Sequence, residues 1–380
     1  MPASWTATCW TGCGRPGSDP SVAWPVAVIG VGMVAERVHL PYLQAAPDVK
    51  IVGVYDTNPR RLKAVATAFD LPRFETARDV MASAAEIVWI CTPPRSHGAL
   101  IKEALAGGKH VVCEKPLCTS SAEAGEVARM ATATGRHVFC CMTNRYRQDV
   151  TRMTAEVRAG TIGIPTYVRA TWLRSAGLPG TTGALEAGVL WDIGSHLVDL
   201  VFWITGWDRP TRVTARAVRT RPRERAEYAT WYGHGPLGDA GEDCADTAIV
   251  DLACGEAGLA HVEVSWAAHV PADYTEILVL GTSSALRLST VFGWSPARQR
   301  IEGPALTRAD TARGVWSELL GSQDRAHTEY VAQLDHFFDA LNRGQPLAAE
   351  LESTILGVNV LTCAHADIRE SGDEGGGKPW

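Results

Sequence analysis

Between Trp24 and Thr143 the sequence alternates short runs that are apolar at nearly every position with longer stretches of helical spacing. The runs are WPVAVIGVG, VKIVGVYD, AEIVWICT, KHVVCEK and HVFCCM; between them lie AERVHLPYLQAA, PRRLKAVATAFD, SHGALIKEALAGG and SAEAGEVARMATATG. A strand with one face in water carries a polar residue at every second position, so runs without that alternation are buried on both faces. Strands of this kind separated by helices predict a parallel sheet covered on both sides, a doubly wound α/β domain over residues 24–146.

After Thr143 the pattern changes. A helix is expected at about 148–159, and PTYVRATWLR, TRVTARAVR, DTAIVDLAC, AGLAHVEVSWA, YTEILVLG and SALRLST then read as strands. Their short connections favour largely antiparallel pairing. Helices near 326–342 and 349–370 close a second domain, placed at 147–372. Residues 1–23 lack the basic start and apolar centre of an export signal and read as an extension outside the fold, disordered or the product of a misassigned start. YGHGPLGDAGED and the basic run RAVRTRPRER at 216–225 read as solvated loops.

Composition excludes two classes of partner. The net charge is −6 and that basic run stands alone, so nucleic acid is not expected. No window holds about 18 uninterrupted apolar residues, so no membrane span is expected. The ten cysteines show no paired CxxC spacing, and Cys91, Cys113, Cys140 and Cys141 lie in or beside apolar runs. They read as reduced, buried thiols of a cytoplasmic protein, and no metal site is expected.

The first strand runs into GVGMVA, Gly30–Ala35, a GxGxxA turn that opens a helix, and the next strand ends in Asp56. Strand, glycine turn, helix and a following acidic residue are together what dinucleotide binding requires. Gly30 permits the tight turn and Gly32 lets the backbone approach a pyrophosphate. The amides of Met33 and Val34 open the helix at the positive end of its dipole. Asp56 is placed to accept hydrogen bonds from the adenosine ribose and would repel a 2′-phosphate, so NAD is favoured. Arg60 and Arg61, just behind it, leave NADP open as a second cofactor.

Beyond the third strand, TPPRSHGALIKEALAGGKHVVCEKPL carries Thr92, Pro93 and His97, then Glu114, Lys115 and Pro116. NRY at 144–146, GTIG at 160–163 and GVLWDIGSHLVDLVFWITG at 188–206 follow. With these motifs in this order, the chain resembles the glucose-fructose oxidoreductase and inositol dehydrogenase family, Gfo/Idh/MocA, from Trp24 to about Gly372. The resemblance implies an N-terminal Rossmann domain and a C-terminal α/β domain with a large open, mostly antiparallel sheet. It implies a small polyol substrate, a sugar, nucleotide sugar or cyclitol, and a homodimer or homotetramer formed through the exposed sheet face. Thr92, Pro93 and His97 would line the cofactor, and Glu114 and Lys115 would stand beside the nicotinamide ribose. The leading 23 residues, the polar segment near 219–242 and GTSSAL at 281–286 depart from the family pattern and bear on loop-borne substrate contacts.

Asp192, His196 and Asp199 fall at i, i+4 and i+7, one stripe of a helix beside an apolar stripe of Ile193, Leu197, Leu200 and Ile204. Oxidising a secondary alcohol with NAD requires a base within reach of the hydroxyl. His196 is the candidate because imidazole titrates near neutrality. Asp192 would fix its tautomer, and Lys115 would polarise the reacting oxygen. The resemblance gives these three the same roles, and Lys115 and His196 are expected to meet at the nicotinamide. Asp199 either binds substrate hydroxyls or pairs structurally; Arg145 either holds substrate or the cofactor amide, or forms an ion pair. Trp172 and Trp266 either line a cleft or fill core, with Trp172 taken as a substrate contact. His39, His110, His137 and His336 receive no role.

An NAD-dependent oxidoreductase is the leading reading. A redox glycosidase with tightly held NAD and a non-catalytic dinucleotide- or sugar-sensing regulator on the same fold are the alternatives, the last opposed by the presence of Lys115, Asp192 and His196 together.

Overall fold

The structure is a computed structural model, and it describes residues 23–175, 188–219, 245–293, 295, 303, 305–321 and 328–373. The expectations for residues 1–22 and for the loop around 220–244 lie outside the described residues. The chain forms two compact units.

Unit one comprises the described residues up to Cys141 together with Tyr330–Ile355. Its sheet consists of β1 (Trp24–Ile29), β2 (Val49–Tyr55), β3 (Ile87–Ile90), β4 (His110–Cys113) and β5 (Val138–Cys140), in the order β2-β1-β3-β4-β5. Every pair is parallel. Val26, Ala27, Val28, Ile87, Val88, Trp89 and Ile90 are fully buried, as expected of strands covered on both faces. The strand order reverses at β1, which lies between β2 and β3. Loops leaving the carboxyl ends of β1 and β3 therefore part there, and doubly wound sheets hold their ligands at such a point.

The helices of unit one begin where their caps dictate. A π turn over Ala35–His39 passes into α1 (Leu40–Ala45). In α2 (Pro59–Ala68), the Asn58 side chain accepts from the amides of Arg60 and Arg61, with proline at the first position. The short α3 (Ala77–Ala82) has no run long enough to show a period in sequence. What marks it is the reciprocal capping box of Thr76 and Asp79. Next come α4 (His97–Ala106) and α5 (Ser121–Thr134).

A contiguous division at 146/147 is not what the packing gives. α8 (Thr328–Asn342) carries Phe337 and Phe338, whose rings lie 6.1 and 6.0 Å from that of Trp89. Tyr42 donates its hydroxyl to Asp335 at 2.6 Å. These aromatic contacts join Tyr330–Ile355 to unit one although the segment is distant in sequence.

Unit two comprises the described residues of 142–329 and those from Leu356 onward. α6 (Gln148–Arg158) precedes β6 (Pro165–Leu173), and a π turn at Leu190–Gly194 leads into α7 (Ser195–Thr205). The other strands are β7 (Pro210–Val218), β8 (Thr247–Cys254), β9 (Gly258–Ser265), β10 (Tyr274–Gly281), β11 (Ala285–Thr290), β12 (Leu306–Asp310) and β13 (Val315–Leu320). The sheet order is β13-β12-β11-β10-β6-β9-β8-β7, antiparallel except where β6 meets β9. One face buries Val168, Ala170, Val262, Val264, Ile277 and Val279. The alternate positions carry the Arg169–Glu276 and His261–Asp251 pairs and the exposed Leu259 and Tyr274. β12 and β13 went unread in the sequence because they lack an apolar alternation: at the edge, Val315 and Trp316 remain exposed.

Cys91, Cys113, Cys118, Cys140, Cys141, Cys254 and Cys363 are free thiols. Among the described residues no helix is long and apolar enough to cross a membrane.

Candidate active site

The turn after β1 is shaped by two glycines with opposite surroundings. Gly30 has φ +87°, and a Cβ there would stand 2.7 Å from the backbone carbonyl of Cys91 and 2.8 Å from the amide of Thr92. Both the conformation and the approach of β3 require glycine. At Gly32 nothing lies within 4 Å of the position a Cβ would take, so that edge of the backbone is open to a ligand. Val31 donates its amide to Asp56 Oδ2 at 3.0 Å, tying the turn to the end of β2. Burial pushes the Asp56 carboxyl up, but hydrogen bonds from Arg61, Asn58 and Val31 outweigh it and hold the group below the ordinary carboxylate range. An open glycine edge, the first helix amides at Met33 and Val34, and an ionised acceptor at Asp56 fit a dinucleotide.

The exits of β3 and β4 are braced by His97, which is fully buried. Its Nδ1 meets the Pro116 carbonyl at 2.7 Å and its Nε2 the Thr92 carbonyl at 2.8 Å. Burial lowers its pKa, and the two carbonyls offset this only in part. Lying between the two carbonyls, the His97 ring spans the Thr92–Pro93 loop and the Lys115–Pro116 turn, whose peptide bond is cis. Thr92 is held further by Ser96, which donates its hydroxyl to Thr92 Oγ1 at 2.7 Å.

Glu114 is held from two sides. Its Oε2 accepts the amide of Lys115 at 3.0 Å, and its Oε1 lies 2.8 Å from His39 Nε2. Burial raises its pKa, while the bond and charge of His39 and the charge and amide of Lys115 bring it below the usual range. His39, given no role from sequence, thus positions Glu114. The available signal was a histidine on the otherwise apolar face of the helix opened by the glycine turn. His39, Glu114 and Cys141 also bring potential ligand atoms within 4.8 Å of one another. Burial pushes the Cys141 thiol well up, which disfavours the thiolate a metal would need.

In unit two the expected single stripe is altered at its start. Asp192 lies in the π turn, where the i, i+4 register of a regular α-helix with His196 does not apply. The buried Asp192 carboxylate accepts from Trp266 Nε1 at 3.1 Å and from Arg174 Nη1 at 3.4 Å. Arg174 was not singled out in sequence; the signal was an arginine closing the apolar strand TWLR. His196 is partly exposed on the first turn of α7, and its ring centroid lies 5.7 Å from that of Trp172. Trp172 is itself buried, edge-on to Phe292.

Asp199 and Arg145 meet in a buried pair. Arg145 Nε donates to Asp199 Oδ2 at 2.8 Å, and Nη2 donates to Oδ1. Of the two readings left open for each residue, pairing is the arrangement seen. Arg147, unread in sequence, forms a second buried fork with Asp149 and donates to Thr290 Oγ1 at 2.7 Å, joining the start of α6 to the end of β11.

The model of the oxidoreductase family with an NAD-binding Rossmann fold matches residues 25–141, and that of the GFO/IDH/MocA C-terminal domain matches residues 150–287. A putative UDP-kanosamine synthase oxidoreductase subunit of Amycolatopsis mediterranei is 27% identical over 314 residues, covering 81% of this chain and 86% of its own length. A D-glucoside 3-dehydrogenase of Escherichia coli is 26% identical over 54% of this chain and 61% of its own length. Among solved structures, GenD2 from gentamicin A biosynthesis, crystallised with NAD, superposes with a TM-score of 0.73 at 22% identity, covering 95% of this chain and 98% of that one.

Proposed function

This chain belongs to the Gfo/Idh/MocA family of oxidoreductases, and we propose that within it the protein is an NAD-dependent dehydrogenase or reductase. Its substrate is a secondary hydroxyl or ketone of a sugar, nucleotide sugar or cyclitol. The observation that carries this reading is the glycine turn of an NAD-binding domain, open at Gly32 and tied to the ionised Asp56. NAD, when bound, supplies the hydride acceptor or donor.

The remaining work falls to side chains of this protein. His196 takes the hydroxyl proton during oxidation and returns it in the reverse direction. Asp192, kept in place by Trp266 and Arg174, favours the charged imidazole. Lys115 sets a positive charge where negative charge develops on the substrate oxygen. Thr92, Pro93 and Glu114 flank the cofactor, with His97 and His39 as their positioning residues. Trp172 shapes the sugar side, and Arg145 and Asp199 support it as a rigid pair. A cytoplasmic homo-oligomer is part of the same proposal.

The D-glucoside 3-dehydrogenase relative makes the C3 hydroxyl of a glucoside the first substrate to test. The experiment incubates purified protein and NAD⁺ with glucosides, nucleotide sugars and inositols while following reduced-nicotinamide absorbance. At least one is expected to drive its appearance. Release of an aglycone without net cofactor reduction would point to a redox glycosidase instead, and dinucleotide binding without turnover across the panel to a regulator.

A further inference from the structure

The sheet of unit two ends in two edges with opposite chemistry. At β7 the edge is guarded. Pro210 opens the strand without an amide hydrogen, and Arg212 and Arg216 stand along it. From the last helix, Asp367 Oδ2 accepts the Ala215 amide at 2.7 Å and lies 3.8 Å from Arg216 Nη1. Proline, charge and a covering side chain keep a sheet edge from pairing with another chain.

β13, VWSELL at Val315–Leu320, carries neither proline nor a basic residue. It pairs with β12 on one side, and among the described residues no strand meets the other. Val315 and Trp316 are 51% and 40% exposed. The Trp316 ring is held in place by the Arg287 guanidinium, 4.6 Å from its centroid. A strand edge with free amides, free carbonyls and apolar side chains is a template for a further strand.

The order of residues in β13 fits a second copy of itself. Successive side chains point to opposite faces, so two copies pair antiparallel about a twofold axis only when one residue faces its own counterpart. With Ser317 on the axis, Val315 meets Leu319 of the second copy at each end, and Trp316 meets Glu318 with its own counterpart in diagonal reach. Glu318 on the axis would set two carboxylates against each other, and Trp316 on the axis would set Val315 against Ser317. The register against β12 slips at Leu319, beyond the residues Val315–Glu318 that pair one to one.

We propose that β13 is an interface between two copies of this chain, paired antiparallel about Ser317 so that the two sheets run on as one. The inference rests on the homo-oligomer reading and places the contact on the β13 edge rather than on the open face of the sheet. Six residues bury less than the roughly 1,000 Å² of a lasting interface, so an edge contact alone is expected to dissociate at about micromolar concentration.

The test follows the association of the full chain by sedimentation velocity over about 0.1–100 μM, a range that brackets that concentration. Wild type is expected to associate, and Val315→Lys to raise the dissociation constant of one association step about tenfold or more by placing a charge opposite Leu319. An unchanged circular dichroism spectrum in Val315→Lys shows that the sheet is intact. Ser317→Cys brings the two introduced thiols together across the axis, within the span a disulfide bridges. Mild oxidation is therefore expected to convert most of Ser317→Cys to a covalent dimer, with wild type setting the background from its own cysteines. If Val315→Lys associates as wild type does, or Ser317→Cys cross-links no more than wild type, the edge proposal is overturned and association belongs to another surface. A wild type that stays monomeric throughout overturns the homo-oligomer reading with it.

Discussion

Asp56–Arg61 in unit one and Asp199–Arg145 in unit two share a bidentate geometry: in each, the arginine Nε and a terminal nitrogen reach the two carboxylate oxygens. Their surroundings differ. Arg61 is 47% exposed, whereas Arg145 and Asp199 are 3% and 2% exposed. A guanidinium in contact with water can leave its partner and be solvated, so the first pair can open at little cost. A buried one has no such alternative, and removing either partner strands a charge in a medium that solvates it poorly. The Arg145 guanidinium also lies 4.4 Å from the Trp203 ring centroid, which fixes it further. Burial rather than pair geometry separates a displaceable contact from a scaffold.

That contrast can be broken most sharply in unit two. Arg145→Ala is expected to lower the unfolding free energy by about 3–5 kcal/mol in urea denaturation. An Arg145→Met/Asp199→Leu double variant should recover much of the loss, since no lone charge is left behind. A single variant within about 1 kcal/mol of wild type would place this pair in the exposed class.

In unit one the larger effect lies on the carboxylate. Asp56→Ala removes the carboxylate proposed to accept from the ribose and is expected to weaken NAD⁺ about tenfold or more by equilibrium dialysis, with a smaller change for NADP⁺. Equal losses for both would mean that Asp56 contributes to folding of the turn rather than to ribose recognition.

A smaller effect is expected with pH. The folded pKa of Asp56 lies below its unfolded value. The stability it contributes is therefore present above the unfolded pKa and is lost as pH falls through the folded one, below about pH 4. Because Arg61 is half exposed, the loss should not exceed about 1 kcal/mol. Thermal midpoints of wild type and Asp56→Asn should converge as the solution is acidified through that range. A gap that persists unchanged in acid would detach the stability difference from ionisation.

The parts of this molecule legible in sequence are those set by local pattern. The five parallel strands announce themselves because burial on both faces leaves no polar alternation, and Gly30 is marked by a conformation that a side chain cannot share. α3 was missed because its signal was a cap rather than a period. β13 was missed because an edge strand need not bury its residues, and β12 because its five residues are mostly polar. The return of Phe337 and Phe338 to Trp89 joins residues far apart in sequence, which no window contains. The same limit hid His39 behind Glu114, Arg174 behind Asp192, and the choice of Arg145 and Asp199 for one another. Sequence offered candidate site residues more readily than the residues that hold them in place.

The most direct test of the dehydrogenase assignment is the turnover of His196→Asn and Lys115→Met on whichever sugar or cyclitol the wild type oxidises. Each kcat is expected to fall about a hundredfold to ten-thousandfold, while NAD⁺ affinity in His196→Asn stays within about threefold of wild type. Near wild-type turnover in both variants would contradict the roles given to this imidazole and this ammonium.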